Sequence, residues 1–283
     1  MHFSLSFITF GLAAVQLAAA LPRDYQQPSR RSSVGELNDV LVFDAPAFED
    51  PTNTGNTIVQ LQAYVSTPQI SIAPFLASVG SFLNETIGLN IGSDLSLPAS
   101  RLALFATFGL SGKDVSVDVS GCGNEATLQP TADGGMAIQN LSIGACGSSS
   151  TLGTVDLSDS RNINFTVFPS SSDGFGVISD IDDTVKVSHT LDKLQLAKAT
   201  LLDNPVPVTN MPAVYSALAK SLNSPQFIYV SGSPFQLYPF LRDFIATTYA
   251  DAKGPIMLQN LTTTDLSDLL NFAGACCRCS LSY

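Results

Sequence analysis

Between about Asp39 and Pro169, apolar and polar positions alternate in short runs separated by polar, Gly-rich connections: TIVQLQAYVS, RLALFATFGL, DVSVDVS, GMAIQNLSIG and NINFTVF. Period-two alternation is the pattern of half-buried strands, and turn residues keep each one short. The region predicts a β-sandwich. One interruption has the helical period instead. Phe75, Val79, Phe82 and Leu83 share a face, and Asn84, nine residues after Phe75, falls about 180° away, pointing outward.

After Pro169 the pattern changes to strands alternating with helices. The strand FGVIS is followed by the helix NMPAVYSALAKSL, with Val214, Tyr215, Leu218 and Leu222 on one face. The strand QFIYVS, the helix YPFLRDFIATTY, the strand PIMLQN and the helix TTTDLSDLLNF come next. Such alternation predicts a parallel sheet with crossover helices, whose ligands gather at the carboxyl ends of the strands. Two polar stretches fall at such ends: the acidic turn after FGVIS, and SGSP at Ser231–Pro234. There is no internal repeat. The expected organisation is a β-rich domain over 38–170 and an α/β domain over 171–283.

Composition adds a compartment and removes some partners. The 283 residues are 45% hydrophobic and 13% charged, enough for a sizeable core. The chain opens MHFSLSFITFGLAAVQLAAALP, an apolar stretch without a basic flank that ends in Ala18 and Ala20 before Pro22. That reads as a signal peptide over 1–20 rather than a membrane anchor. Residues 21–37 read as a propeptide, cut after Arg30 and Arg31, or as a flexible arm. Secretion is the expected localisation, and the N-x-S/T sequons at Asn84, Asn140, Asn164 and Asn260 fit a secreted glycoprotein. Without residues 1–31 the chain keeps 10 basic and 23 acidic residues. That balance excludes nucleic acid, and attraction to anionic membranes by charge alone, so a phosphate must be met by a metal or a local site. No transmembrane segment is expected in the mature chain. Cys122 and Cys146, in the Gly-rich turns SGCGN and GACGS, are expected to pair in an oxidising compartment. Cys276, Cys277 and Cys279 crowd the last eight residues without the second ligand pair a zinc finger needs.

The candidate chemistry lies in FGVISDIDDTVKVS, where Asp180, Asp182 and Asp183 follow an apolar strand. A strand end delivering Asp180 and Asp182 lets alternate side chains reach one cavity, one to attack and the other to handle a proton. A phosphoryl group suits this, because an aspartate can form an acyl phosphate that water hydrolyses. Magnesium would offset the crowded negative charge. An EF-hand loop is excluded, since Val185 and Leu191 stand where it needs Gly and Glu. A solvated acidic turn that caps the next helix is the competing reading. Ser231 lacks the G-x-S-x-G elbow of a hydrolase nucleophile, and His189 is the only histidine beyond the signal peptide.

ISDIDDTVKVS resembles the first motif, D-x-D-x-T, of the haloacid dehalogenase superfamily, in the form found in the actin-patch type of phosphatidate phosphatase. FIYVSGSPFQLYPFLRDF and KGPIMLQNL resemble the segments that follow in that family, so the likeness spans Phe175 to about Asn271. The resemblance implies a haloacid dehalogenase-like α/β domain with a Rossmann-like parallel sheet, incomplete here, in a secreted, fungal-type member truncated at its C-terminus. It implies Asp180 as nucleophile and magnesium ligand. Asp182 would be the acid and base, with its backbone carbonyl on the metal. Thr184 would support the turn, and Ser231 and the Gly232 amide would bind phosphate. Asp183 is expected to help the turn, not to do chemistry. The implied cofactor is Mg2+ and the implied substrate a phospholipid monoester. The family's third-motif lysine and fourth-motif aspartates have no counterpart in AGACCRCSLSY, which implies little or no activity for the chain as written. The alternative is a non-catalytic secreted binding protein carrying a degenerate phosphatase domain.

Overall fold

The computed structural model describes residues 32–34, 38–68, 71–171 and 173–260, which fall in one compact unit. The signal peptide, most of the arm, the helix TTTDLSDLLNF and the cysteine-rich tail lie outside the described residues. No helix among the described residues is long and apolar enough to cross a membrane.

The first region runs β1 (Ser32–Ser33), β2 (Asp39–Val42), β3 (Ala45–Glu49), β4 (Thr57–Ser66), α1 (Ala73–Ile87), α2 (Ser96–Leu102), β5 (Lys113–Asp114), β6 (Ser116–Val119), β7 (Ala126–Thr127), β8 (Met136–Ser142), β9 (Thr151–Asp156) and β10 (Asn164–Pro169). The β-rich expectation is met by one hydrogen-bonded network of eight strands, ordered β2-β4-β3-β10-β9-β6-β7 with β8 on β4. Pairing is antiparallel except between β3 and β10. The sheet curls until its ends approach, and just past β7 the Gln129 N–H donates to Gln139 Oε1 on β8, 2.8 Å. The alternating positions Val59, Leu61, Ala63 and Val65 of β4 meet Val117, Phe165 and Val167 inside. Burial of each large aliphatic or aromatic side chain contributes about 1.5–3 kcal/mol. Cys122 and Cys146 form a disulfide that ties the β6–β7 turn to the segment after β8.

The second region runs β11 (Gly176–Asp180), α3 (Lys193–Leu201), α4 (Met211–Ser221), β12 (Gln226–Pro234), α5 (Tyr238–Thr248) and β13 (Ile256–Gln259). β11, β12 and β13 pair in parallel in that order. The two regions share a core in which Phe43, Tyr64 and Met136 pack with Phe235 and Tyr238. At the seam Asp44 accepts two hydrogen bonds from Arg242, 2.8 and 2.9 Å, and one from the Thr166 N–H, 2.6 Å. The Asp44 N–H in turn donates to the Tyr238 hydroxyl, 2.6 Å.

Three sequence expectations change. RLALFATFGL, read as a strand, supplies the last two residues of α2 and a 3-10 turn over Ala103–Ala106. Its Leu, Ala and Arg residues are good helix formers, and the helix lets Leu102 join Ala197 and Leu201 of α3 in a small core. In α4, Val214 is exposed while Tyr215 and Ala219 are buried, so the inward face is rotated from the predicted one. The strands β1, β2, β3, β7 and β9 and the helix α3 were not anticipated. In α1, Val79 and Leu83 are buried and Asn84 faces outward as expected.

Candidate active site

β11 ends at Asp180, directly opposite Val230 of β12, so the two polar strand ends lie side by side. The chain then doubles back: the N–H groups of Val185 and Lys186 both donate to the Ile181 carbonyl at 3.0 Å, and the Asp183 N–H donates to the Lys186 carbonyl at 2.8 Å. Asp183 turns the corner with φ 59°, a left-handed conformation that Asp tolerates better than most residues. The Tyr249 hydroxyl pins the loop by donating to the Val185 carbonyl, 2.7 Å. Val187 N–H to Val206 O and Val208 N–H to Val185 O, 2.8 and 3.0 Å, strap it to the following segment.

The three acids have different surroundings. Asp183 accepts from the N–H groups of Ser188, His189 and Thr190 and from the Thr190 hydroxyl, each at 2.8 Å. Desolvation pushes its carboxyl up, but these bonds outweigh it and hold the group down at about 2. Asp183 is therefore a permanent anion that shapes the loop.

Asp182 has both oxygens engaged: Oδ1 by the Ser188 hydroxyl at 2.7 Å and Oδ2 by the Ser231 hydroxyl at 2.6 Å. Ser231 sits where β12 shifts register against β13 between Val230 and Pro234, and its Oγ accepts from the Ser233 N–H, 2.9 Å. That irregularity aims the hydroxyl across the strand ends. Its one hydrogen goes to Asp182, so Ser231 reaches a phosphate only by turning away. Gly232, half-buried, lies within the same shift.

Asp180 is exposed and accepts on Oδ2 from the Thr184 hydroxyl, 3.1 Å. Partial burial raises its pKa, the Thr184 bond opposes this, and the neighbouring Asp182 and Asp183 charges add to the rise. It is the acid of the three with the most room for a ligand.

The structure thus brings Asp180, Asp182, Thr184 and Ser231 together. It also answers the competing reading, because α3 is capped by Asp192, which accepts from the N–H groups of Leu194 and Gln195, and not by the acidic turn. Arg242, on the helix that follows the second polar strand end, is committed to Asp44. Lys186 and Ser188 were missed as functional candidates. In TVKVS the alternation suggests a strand with an outward lysine, yet Lys186 is 2% exposed and its ammonium donates to Ser188 Oγ at 2.7 Å. Burial pushes the Lys186 ammonium down, with Asp182 opposing.

Among the described residues no group of three or more His, Cys, Asp or Glu converges as a metal site. Magnesium needs less, since it binds through one or two carboxylates while substrate phosphate and water fill its other positions. The Asp180 carboxylate fits that role. The Asp182 carboxylate, tied up by two hydroxyls, leaves only the backbone carbonyl of that residue to offer.

Residues 175–275 match the family model described as "Phosphatidate phosphatase APP1, catalytic domain". The matched stretch contains the whole arrangement above. No curated protein sequence matches the chain.

Proposed function

We propose that the chain is a phosphatase that hydrolyses a phosphomonoester through an aspartyl-phosphate on Asp180, its substrate a phosphorylated lipid, as the likeness to the phosphatidate phosphatase catalytic domain suggests. The observation that carries the reading is the unequal treatment of two neighbouring carboxylates. Asp182 is held by two hydroxyls, whereas Asp180 stands open at the strand end beside it.

In the first step an Asp180 oxygen attacks phosphorus, the bond to the leaving oxygen breaks, and protonated Asp182 gives that oxygen its proton. In the second, water attacks phosphorus, Asp182 takes its proton, and the acyl phosphate opens to free phosphate and Asp180. Thr184 holds one Asp180 oxygen so that the other faces the phosphate. Ser231 and the Gly232 amide line the phosphate side. When bound by the Asp180 carboxylate and the Asp182 carbonyl, magnesium would offset the charge of two carboxylates meeting a phosphate. Residues 171–283 are read as a haloacid dehalogenase-like domain with a Rossmann-like sheet, and residues 38–170 as its β-rich companion.

The chain is further read as a secreted glycoprotein with a signal peptide over 1–20. The disulfide and the exposure of Asn84, Asn140, Asn164 and Asn260 support this.

The test is phosphate release from phosphatidate vesicles and from 4-nitrophenyl phosphate with magnesium, comparing the chain with Asp180→Asn. Release that disappears in the variant carries the reading and overturns the sequence expectation of little or no activity for the chain as written. Release that persists removes Asp180 as nucleophile, and none from either protein favours the alternative, a secreted binding protein.

A further inference from the structure

We propose that Lys186, acting through the Ser188 hydroxyl, is the positioning residue that aims the Asp182 carboxylate, an inference that rests on the phosphatase reading for its catalytic consequence.

The argument is one of donors and acceptors. An ammonium has only hydrogens to give, while a hydroxyl has a single hydrogen and two lone pairs. With Lys186 Nζ 2.7 Å from Ser188 Oγ, the hydroxyl must accept from the lysine. Its own hydrogen is then free for Asp182 Oδ1 at 2.7 Å, the alternative acceptor being the more distant Lys186 carbonyl at 3.4 Å. A buried lysine therefore fixes which way the hydroxyl points. The Ser231 hydroxyl holds the other oxygen from β12, so the carboxylate is clamped from two elements.

The loop does not need the ammonium for its shape. The Lys186 N–H and carbonyl are already bonded to Ile181 and Asp183, and its backbone bridges Asp182 and Pro207. A methionine of similar length would fill the space without burying a charge, which is costly unless paired. Besides Ser188, the ammonium faces the Phe240 ring, whose centroid is 5.8 Å away. Asp182 and Asp183 attract it and Arg101 repels it. Arg101 is anchored elsewhere: it donates to the carbonyls of Thr200 and Asp203 and lies over Phe240, 4.3 Å from the centroid. The attraction that remains for Lys186 points at the candidate acid, and Ser188, with no exposed surface, lies between them.

The full chain is compared with Lys186→Met, Lys186→Arg, Ser188→Ala and Asp182→Asn on two substrates with magnesium. One is 4-nitrophenyl phosphate, whose leaving group needs little protonation, and the other is an alkyl phosphate, whose leaving group needs an acid. Lys186→Met and Ser188→Ala are expected to lose about 10- to 100-fold in kcat/KM on the alkyl phosphate, within the range of acid catalysis, and under about threefold on the aryl phosphate. Lys186→Arg should recover part of the loss, and Ser188→Ala should add nothing on top of Asp182→Asn. Equal losses on both substrates, or none, would overturn the proposal. Ser188→Ala removes no charge and keeps the test open if Lys186→Met does not fold.

A wild-type chain without turnover would defeat the phosphatase reading instead. The relay is then judged by thermal unfolding of Lys186→Met, Asp182→Asn and their double variant. A non-additive shift of about 3 °C or more supports it, and additive shifts overturn it.

Discussion

The two regions handle buried polar groups in different ways. In the β-rich region several of these groups serve the backbone. Thr131 donates to the Leu110 carbonyl and accepts from the Lys113 N–H, Asp50 accepts from the Thr52 N–H and hydroxyl, and Thr107 donates to the Leu104 carbonyl. The Asp50 and Thr107 bonds close local turns, the Thr131 bonds tie segments 18 and 21 residues apart, and Arg101 and Asp44 reach across to the α/β region. At the strand ends of the α/β region the bonds run from side chain to side chain, through Lys186, Ser188, Asp182 and Ser231. Side-chain pairs are the minority class of protein hydrogen bonds, and a buried chain of them fixes the direction of particular atoms. Within the β-rich region these bonds mostly tie backbone together, whereas the chain of side chains at the α/β strand ends aims a carboxylate.

The largest expected effect would break that contrast at the carboxylate left open. Asp180→Asn should lower phosphate release by at least about a thousandfold, as loss of a nucleophile does, while leaving the fold intact. Phosphate assays beside thermal melts check both halves. A variant that loses activity only because it unfolds would place Asp180 among the structural acids.

How far this was legible from sequence depends on how local the cause is. β4 follows from TIVQLQAYVS alone, because its alternation matches the burial of Val59, Leu61, Ala63 and Val65. Asp180, Asp182 and Ser231 were legible because strand ends deliver them. α2 was not, since its helical state is rewarded by Ala197 and Leu201, about a hundred residues away. Lys186 was hidden for the same reason. Its inward turn depends on the fold-back at Asp183 and on Phe240 of α5, neither of which TVKVS contains. The committed state of Arg242 likewise required Asp44, in the remote connection between β2 and β3.

The next effects sharpen the structural side. Replacing Cys122 and Cys146 by serine should cost about 3.5 kcal/mol on the chain-entropy account of the loop they close. Urea unfolding measures it, and the folded variant should keep its activity, because the bond joins the β6–β7 turn to the segment after β8 and not the strand ends of the α/β region. An unchanged midpoint would show that the disulfide contributes no stability. At the seam, Arg242→Ala should cost about 2–3 kcal/mol. It strands the 8%-exposed Asp44, though the arginine's partial exposure lessens the loss relative to a fully buried pair. An activity loss larger than the stability loss explains would show that the seam also steers the site.

The smallest effect separates the two extreme acids by sign. The Asp183 carboxyl sits at about 2 in the folded chain, below its ordinary 3.8, so its contribution is present above about pH 4 and is lost as pH falls toward 2. At full weight a shift of that size would be worth about 2.4 kcal/mol, and the exposure of the residue reduces it to about 1 kcal/mol. Asp183→Asn should therefore be less stable by about that amount at pH 7, and the difference should close near pH 2. Asp180 is displaced upward, so ionising it opposes folding as pH rises above the ordinary carboxylate range. Asp180→Asn should then be as stable as the parent or more so at pH 7, and the two should converge below pH 4. Urea melts of both variants between pH 2 and 7 read the two curves directly. Opposite slopes would mean that one acid is held for the fold and the other against it, and parallel slopes would remove that distinction between them.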